Sequence, residues 1–444
     1  MKPYRIEDNS KCEVSDFSDI AFLLSKIENK TLKHLEREGV FVFPDLLKGA
    51  DDLEKDQIII QKIDNKYRTG NIMGFLGYGD KRLIIESRFS NNGKDFLFLY
   101  LLSNILDIPN IMDLRTDADQ SNKLFNYLLF LFPFYLKSAM RKGLFKTYIR
   151  RNYNDGNLRG PIDIARHIEK NTPFIGNIAY SKREFSFDNS LIELIRHTIE
   201  YIKRKPCGSK VLLKIKDEVE LITAATTAYK FHDRERIIEQ NKKTPVRHAY
   251  YREYLALQKL CIAILQDQRH QVGQGTKEIY GILFDGAWLW EEYVNSLIKE
   301  SFYHPKNKGK TEGAQRLFST GDSKLGLIYP DFISKNPAQR IIVDAKYKPM
   351  DNIGNKDYLQ VLAYMYRFDS CHGYYVYPES NNEEKLELHL NQGSTYDKSK
   401  VVKREPDILV TKLGIKIPGD VSNYEEFVNS MKIQENKLRQ SLVP

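Results

Sequence analysis

Cysteine is scarce. The 444 residues hold four, Cys12, Cys207, Cys261 and Cys371, far apart and with no C-x-x-C pair. That spacing excludes a disulfide framework and a cysteine-based zinc site, and it points to a reducing, cytoplasmic setting. The nine histidines are dispersed, with no H-x-x-x-H or triad pattern, so a metalloprotease or serine hydrolase finds no support. Long apolar runs are missing too. Leu124 to Leu136, about 13 residues interrupted by Asn126 and Pro133, falls short of the roughly 20 a membrane span needs and reads as a buried helix. The first eight residues carry no apolar h-region and no small-residue cleavage site, which argues against secretion. There is no internal repeat and no low-complexity stretch. Nucleotide-binding fingerprints are also lacking: Gly309-Lys310-Thr311 resembles the end of a P-loop, but its first glycine position holds His304. The glycines between Gly74 and Gly79 have turn spacing, not dinucleotide-binding spacing.

Hydrophobic residues make up 41% and charged residues 29%, with 27 Tyr and 23 Phe, which is the profile of a folded globular chain of two or three domains. Lys plus Arg exceed Asp plus Glu by 68 to 59, a net charge of +9 that suits a polyanionic partner without identifying one. The expected fold is α+β: a β-rich N-terminal domain over 1–115, a mainly helical middle region over 116–268, and a C-terminal α/β domain with a mixed sheet over 269–444. In the first, Ile72 to Leu76 and Arg82 to Glu86 flank a glycine turn and predict a β-hairpin. Residues 95–151 have helical apolar spacing, and Pro133 should kink or end the second segment. The basic aromatic stretch Arg141 to Tyr153 reads either as a solvated amphipathic helix or as a segment tracking a phosphate backbone. Residues 152–190 look irregular, and the next helix starts behind Asp188 or Asn189 as its cap.

The chemistry concentrates in the last third. Gly326 to Lys348 predicts two strands joined by a turn at Lys335-Asn336-Pro337. Alternation in the second strand puts Ile342, Asp344 and Lys346 on one face. A hairpin brings Asp331 beside Asp344, and two converging carboxylates suit a hard divalent cation such as Mg²⁺. A neighbouring lysine can orient or help deprotonate an attacking water and offset charge developing on a phosphate. An Asp-x-Lys tripeptide alone is ordinary in a chain this charged, so the flanking elements matter. Asp285 caps an expected helix from about Ala287 to Phe302, on which Glu291 borders the apolar stripe and can reach inward, while Glu292 faces the wetter side. Downstream, Gln360 and Tyr364 stand four apart on one helix face, where they can brace a lysine or contact a DNA backbone. Another strand, Gly373 to Pro378, follows.

This order resembles the PD-(D/E)xK nuclease superfamily in its variety with a Q-x-x-x-Y helix. More narrowly, it resembles the McrC family, the nuclease subunits of McrBC-type and LlaJI-like restriction systems. The resemblance rests on Leu289 to Val294 (LWEEYV), Tyr329 to Phe332 (YPDF), Ile341 to Lys348 (IIVDAKYK) and Tyr358 to Tyr364 (YLQVLAY), supported earlier by LIIESRF, LRGPID and EFSFDNSLI. It spans roughly residues 70–380; the first 60 residues and the segment Pro206 to Arg247 match nothing recognisable. It implies that Asp331 and Asp344 bind Mg²⁺ with help from the Ala345 carbonyl, that Glu291 is the helix carboxylate, that Lys346 acts on the water, and that Gln360 and Tyr364 support them. It further implies double-stranded DNA as substrate and, as partner, a McrB-like AAA+ GTPase that translocates DNA, docked on the N-terminal part in a hetero-oligomer. McrBC-type systems respond to methylated cytosine and LlaJI-like systems to an unmodified sequence, a choice that resides mainly in the partner. An adaptor that activates the GTPase without cutting is the alternative reading. Against it, charged groups are expensive to keep half-buried without a metal or counter-charge.

Overall fold

A computed structural model describes residues 4–38, 40–43, 58–79, 81–90, 96–105, 120–206, 208–271, 279–305, 315–320, 323–380, 385–392, 402–403 and 407–442. Helices and mixed sheets alternate along the chain, as the α+β expectation requires. The chain divides into two compact units, Met1–Ser121 with Lys277–Pro444, and Asn122–Thr276. Among the described residues, no helix is long and apolar enough to cross a membrane.

The first unit begins with β1 (Tyr4–Glu7), β2 (Lys11–Glu13), α1 (Ala21–Ile27), α2 (Leu32–Arg37), β3 (Phe41–Phe43), β4 (Ile60–Ile63), β5 (Lys66–Thr69), β6 (Ile72–Tyr78), β7 (Lys81–Glu86) and α3 (Phe96–Ile105). The expected hairpin is β6–β7, paired from Gly74↔Ile85 to Tyr78↔Lys81. Gly79 turns it at φ +59°, a conformation most side chains resist. Its neighbour Asp80 lies outside the described residues.

The second unit contains α4 (Gln120–Met140), β8 (Thr147–Asp155), α5 (Ile164–Lys170), β9 (Ile178–Ser186), α6 (Ser190–Lys203), α7 (Gly208–Leu213), α8 (Lys216–Ala225), α9 (Arg234–Lys243) and α10 (Glu253–Gln271). Two local expectations change here and one narrows. Of the two outcomes expected at Pro133, an end is excluded, because helix α4 runs through it. Leu128, Leu129, Leu131, Phe132 and Leu136 are buried around that position, so packing outweighs the lost backbone bond. The stretch read as an amphipathic helix is instead the strand β8 from Thr147 onward. It pairs antiparallel with β9, so residues read as irregular form a two-stranded ribbon within a mainly helical region. Strict alternation of exposure along β8 is the period-2 signal that the basic charges obscured. Of the two cap candidates, Asn189 accepts from the Leu191 and Ile192 amides, while Asp188 pairs with Arg151 at 3.1 Å.

The chain then returns to the first unit with β10 (Ile279–Asp285), α11 (Gly286–Ile298), β11 (Phe302–Tyr303), β12 (Gln315–Thr320), β13 (Ser323–Ile328), β14 (Phe332–Ser334), β15 (Ile341–Ala345), α12 (Asn355–Arg367), β16 (His372–Glu379), β17 (Lys385–His389), β18 (Asn391–Gln392), β19 (Val402–Lys403), β20 (Leu409–Lys416) and α13 (Tyr424–Leu442). Strand β10 enters the N-terminal sheet, whose order is β1-β7-β6-β10-β3. There it runs antiparallel to β6 and parallel to β3. The other large sheet has the order β11-β14-β15-β16-β20-β17. Its β15, β16 and β20 are mutually parallel, with α12 as the crossover between β15 and β16. Ile342, Val361, Tyr364, Met365, Tyr375 and Tyr377 form the core between α12 and this sheet. The candidate residues sit at the ends of its inner strands β14 and β15 and on α11 and α12.

Candidate active site

Strands β14 and β15 pair antiparallel with Phe332 opposite Val343. Continuing that ladder by one residue sets Asp331 opposite Asp344. The Asp331 carboxylate accepts from the Ala345 amide at 2.8 Å, which pins the two strand ends together. Asp344 projects from the middle of the sheet, where neighbouring strands leave its side chain 1% exposed. Its Oδ2 meets Lys346 Nζ at 2.7 Å, and its Oδ1 is buried without a hydrogen-bond partner. An unpartnered carboxylate oxygen at such a depth is costly unless something positive approaches it.

The electrostatics follow from this crowding. Burial first, then the charges of Asp344 and Glu291, push the Asp331 carboxyl well above the usual carboxylate range. Burial likewise raises Asp344, against the opposing pull of Lys346. For Lys346 burial works against the charge, but the carboxylates of Asp344 and Asp331 outweigh it and hold the ammonium above the ordinary lysine value. Two acids and one base therefore share the site, and the single ammonium of Lys346 faces both carboxylates.

Helix α11 starts behind the expected cap, with Asp285 accepting from the Ala287 and Trp288 amides. It ends at Ile298, short of the expected Phe302, because Phe302 and Tyr303 enter β11. Its Trp290 indole donates to the Val376 carbonyl, the same oxygen that receives the Lys346 amide, so the helix is tied to the sheet beside the site. Glu291 points inward and is buried. Opposite it lies a residue the sequence did not single out. His304 Nδ1 donates to the Asp331 carbonyl at 2.9 Å, its Nε2 lies 3.6 Å from both Glu291 and Glu292, and its ring stacks on Phe332. Burial lowers the tendency of His304 to protonate, yet Glu292, the Asp331 carbonyl and Glu291 together raise it above the ordinary histidine value.

On α12 the Gln360 amide donates to the Tyr364 hydroxyl at 2.6 Å. Burial pushes that phenol up to about 12, and the charges of Asp344 and Asp331 add to the effect. The ion-pair partners of Lys346 are Asp344 and, at 3.9 Å, Asp357, which in turn holds Lys348 at 2.6 Å. Asp357 and Lys348 were legible in principle. Lys348 continues the 344, 346 alternation, and Asp357 stands three residues before Gln360 on the same helix face. Only His304 had no local signal, since its role depends on a loop return.

Asp331, Asp344, Ala345 and Lys346 are thus brought into direct contact, Glu291 is joined to them through His304, and Gln360 with Tyr364 borders them. Among the described residues, no three His, Cys, Asp or Glu side chains close round one point as a complete metal cage. Two oxygen-donor carboxylates with an unsatisfied buried oxygen nonetheless fit a hard cation that completes its shell with water and substrate, as Mg²⁺ habitually does.

The comparisons with known proteins bear on what such a site serves. A family model described as McrBC 5-methylcytosine restriction system component matches residues 67–378. No curated protein matches the chain. One similar solved structure is a refined half-complex from a tetradecameric assembly of Thermococcus gammatolerans McrB AAA+ hexamers with bound McrC. It has a TM-score of 0.48 and 14% identity, covering 99% of this chain and 100% of that one. Another is the cryo-EM structure of the Thermococcus gammatolerans McrBC complex, with a TM-score of 0.30 and 16% identity over 67% of this chain and 87% of that one. Both TM-scores fall below 0.5, so the family match stands by itself.

Proposed function

The chain belongs to the family of McrBC 5-methylcytosine restriction system components, and from that premise we propose that it is the Mg²⁺-dependent endonuclease subunit of a restriction system, hydrolysing phosphodiester bonds of double-stranded DNA together with a McrB-like AAA+ GTPase. The observation that carries the reading is the convergence of Asp331, Asp344 and Lys346 at the end of two adjacent strands, with Asp344 Oδ1 buried and unpartnered. We read the β11-to-β17 sheet with α11 and α12 as a PD-(D/E)xK nuclease domain.

In this reading Asp331 and Asp344 with the Ala345 carbonyl would hold the ion, and Glu291, now facing His304, would join them when it binds. When bound, the ion supplies Lewis-acid polarisation of the scissile phosphate. The chain's own groups do the rest. Lys346, kept as an ammonium by its carboxylate neighbours, donates hydrogen bonds that orient the attacking water and offset charge on the phosphate. Asp357 holds that ammonium from its far side. Gln360 and Tyr364 form a bonded pair at the border of the site that can meet the DNA backbone.

The test is plasmid cleavage by the purified chain plus the AAA+ GTPase encoded beside it, with and without Mg²⁺, on methylated and unmethylated DNA. Mg²⁺-dependent cutting that disappears in Asp344→Ala supports the proposal. If neither version cuts, while both stimulate GTP hydrolysis equally, the chain is an adaptor and the nuclease assignment is wrong.

A further inference from the structure

The strand that carries Asp344 stops at Ala345, and the Lys346 amide makes the last sheet bond, to the Val376 carbonyl at 2.9 Å. Beyond that bond the sheet no longer holds the chain. What holds it comes from the N-terminal part of the same unit. Arg88, two residues past β7, places its guanidinium 4.9 Å above the Tyr347 ring and donates to the Tyr347 carbonyl at 3.3 Å. The same group reaches the buried Asp8 carboxylate at 3.0 Å and the Asn71 side-chain oxygen at 2.6 Å.

The Tyr347 side chain is seated with equal care. Its hydroxyl lies 2.7 Å from Ser87 Oγ, its ring meets Phe89 edge-on at 5.2 Å, and the residue is 4% exposed. Gly286, the first residue of α11, packs so close that a Cβ there would stand 2.8 Å from the Tyr347 ring. Ser87, Arg88 and Phe89 thus grip the residue next to Lys346, and the same socket touches the start of the helix that carries Glu291.

We infer that Arg88 is a positioning residue for Lys346, acting through the Tyr347 carbonyl and ring. The Lys346 amide is fixed by Val376, and the Tyr347–Lys348 peptide that follows is held by Arg88 through the Tyr347 carbonyl. Removing the second anchor lets Tyr347 shift in its socket and the Lys346 ammonium wander. The contacts to Asn71, Tyr347 and Asp8 run from Nη2 while the flat guanidinium lies over the Tyr347 ring, whereas a lysine in its place keeps the charge beside Asp8 but lacks the planar face and the reach of Nη2. Displacements of about 1 Å at a reacting group can lower rates by about 100-fold.

This inference rests on the nuclease reading, and the experiment separates the two. Native chain, Arg88→Lys, Arg88→Ala and Asp344→Ala are compared in Mg²⁺-dependent DNA cleavage with the GTPase partner, in thermal melting, and in amide hydrogen exchange of the metal-free chain. Arg88→Lys is expected to melt like the native chain and to keep its KM for DNA. Its kcat should fall about 10- to 100-fold, and exchange should rise over residues 346–348 while β15 stays protected. Arg88→Ala should show the same local change with a lower melting temperature. Native kcat and native exchange in Arg88→Lys overturn the inference while leaving the nuclease reading intact. Exchange that rises throughout the first unit also overturns it, because Arg88 is then a general support. If native and Asp344→Ala behave alike, the nuclease reading fails and takes the inference with it.

Discussion

At Asp331 the carboxylate is held above its ordinary range by burial and by the charges of Asp344 and Glu291, so the folded, metal-free chain carries repulsion that its unfolded form does not. A carboxyl raised on folding destabilises the ionised protein at pH above its folded value, and that penalty vanishes as pH falls through it. Asp331→Asn is therefore expected to raise the melting temperature by a few degrees at pH 8 without metal while abolishing cleavage. Adding Mg²⁺ should stabilise the native chain and leave the variant unmoved; equal shifts in both would place the cation elsewhere. His197 offers an opposite case in the second unit. Its ring is fully buried, neither nitrogen has a hydrogen-bond partner, and burial, reinforced by Arg234, pushes it down from 6.5 to about 4. Between those values the unfolded chain binds a proton that the folded one refuses, so stability is full above pH 6.5 and is lost as pH falls toward 4. The loss reaches about 3 kcal/mol. Melting curves across that range should flatten in His197→Leu, and an unchanged acid limb would show that other groups govern it.

Elements are held in place by a few buried polar joints as well as by their apolar faces. Glu435 on α13 accepts from Tyr100 of α3 at 2.5 Å and from Tyr293 of α11 at 3.0 Å, tying three helices together behind the Glu291 side. Glu435→Ala leaves two buried hydroxyls without their acceptor and should cost about 3 kcal/mol in urea unfolding, whereas Tyr293→Phe should cost about 1. Equal costs would mean that lost packing, not the hydroxyl bonds, dominates. Most of these elements were legible locally. The hairpin β6–β7 announced itself by two short apolar runs flanking a glycine turn, and α11 by its Asp285 cap and apolar stripe. Strand β8 was misread because Arg141 to Tyr153 mixes charge and aromatic residues in a way that fits either period, and only pairing with β9 settles the choice. The convergence of Asp331, Asp344 and Lys346 was legible too, because two adjacent strands joined by a short loop have one register that buries their apolar faces.

On the scale of the whole molecule, β10 lies between β6 and β3 although the second unit separates them in the chain. The N-terminal sheet and the candidate active site thereby share one compact unit, and Arg88 can reach Tyr347. The net charge of +9 belongs to this scale as well. If it serves DNA, retention of the isolated chain on duplex DNA should weaken by orders of magnitude between about 50 and 200 mM salt, as counterion release demands. Binding insensitive to salt would remove charge from the account of DNA recognition.

The sequence by itself determined most kinds of element, the β8–β9 ribbon excepted, the carboxylates and lysine on adjacent strands, and the family resemblance, because helix and strand periods, caps and turns are written over a few neighbouring residues. Tertiary structure alone decided that His304 faces Glu291, that Arg88 meets the ring and carbonyl of Tyr347, and that β10 joins strands from the chain's beginning. Such contacts arise from burial and hydrogen bonding summed over many elements, and no local pattern records their outcome.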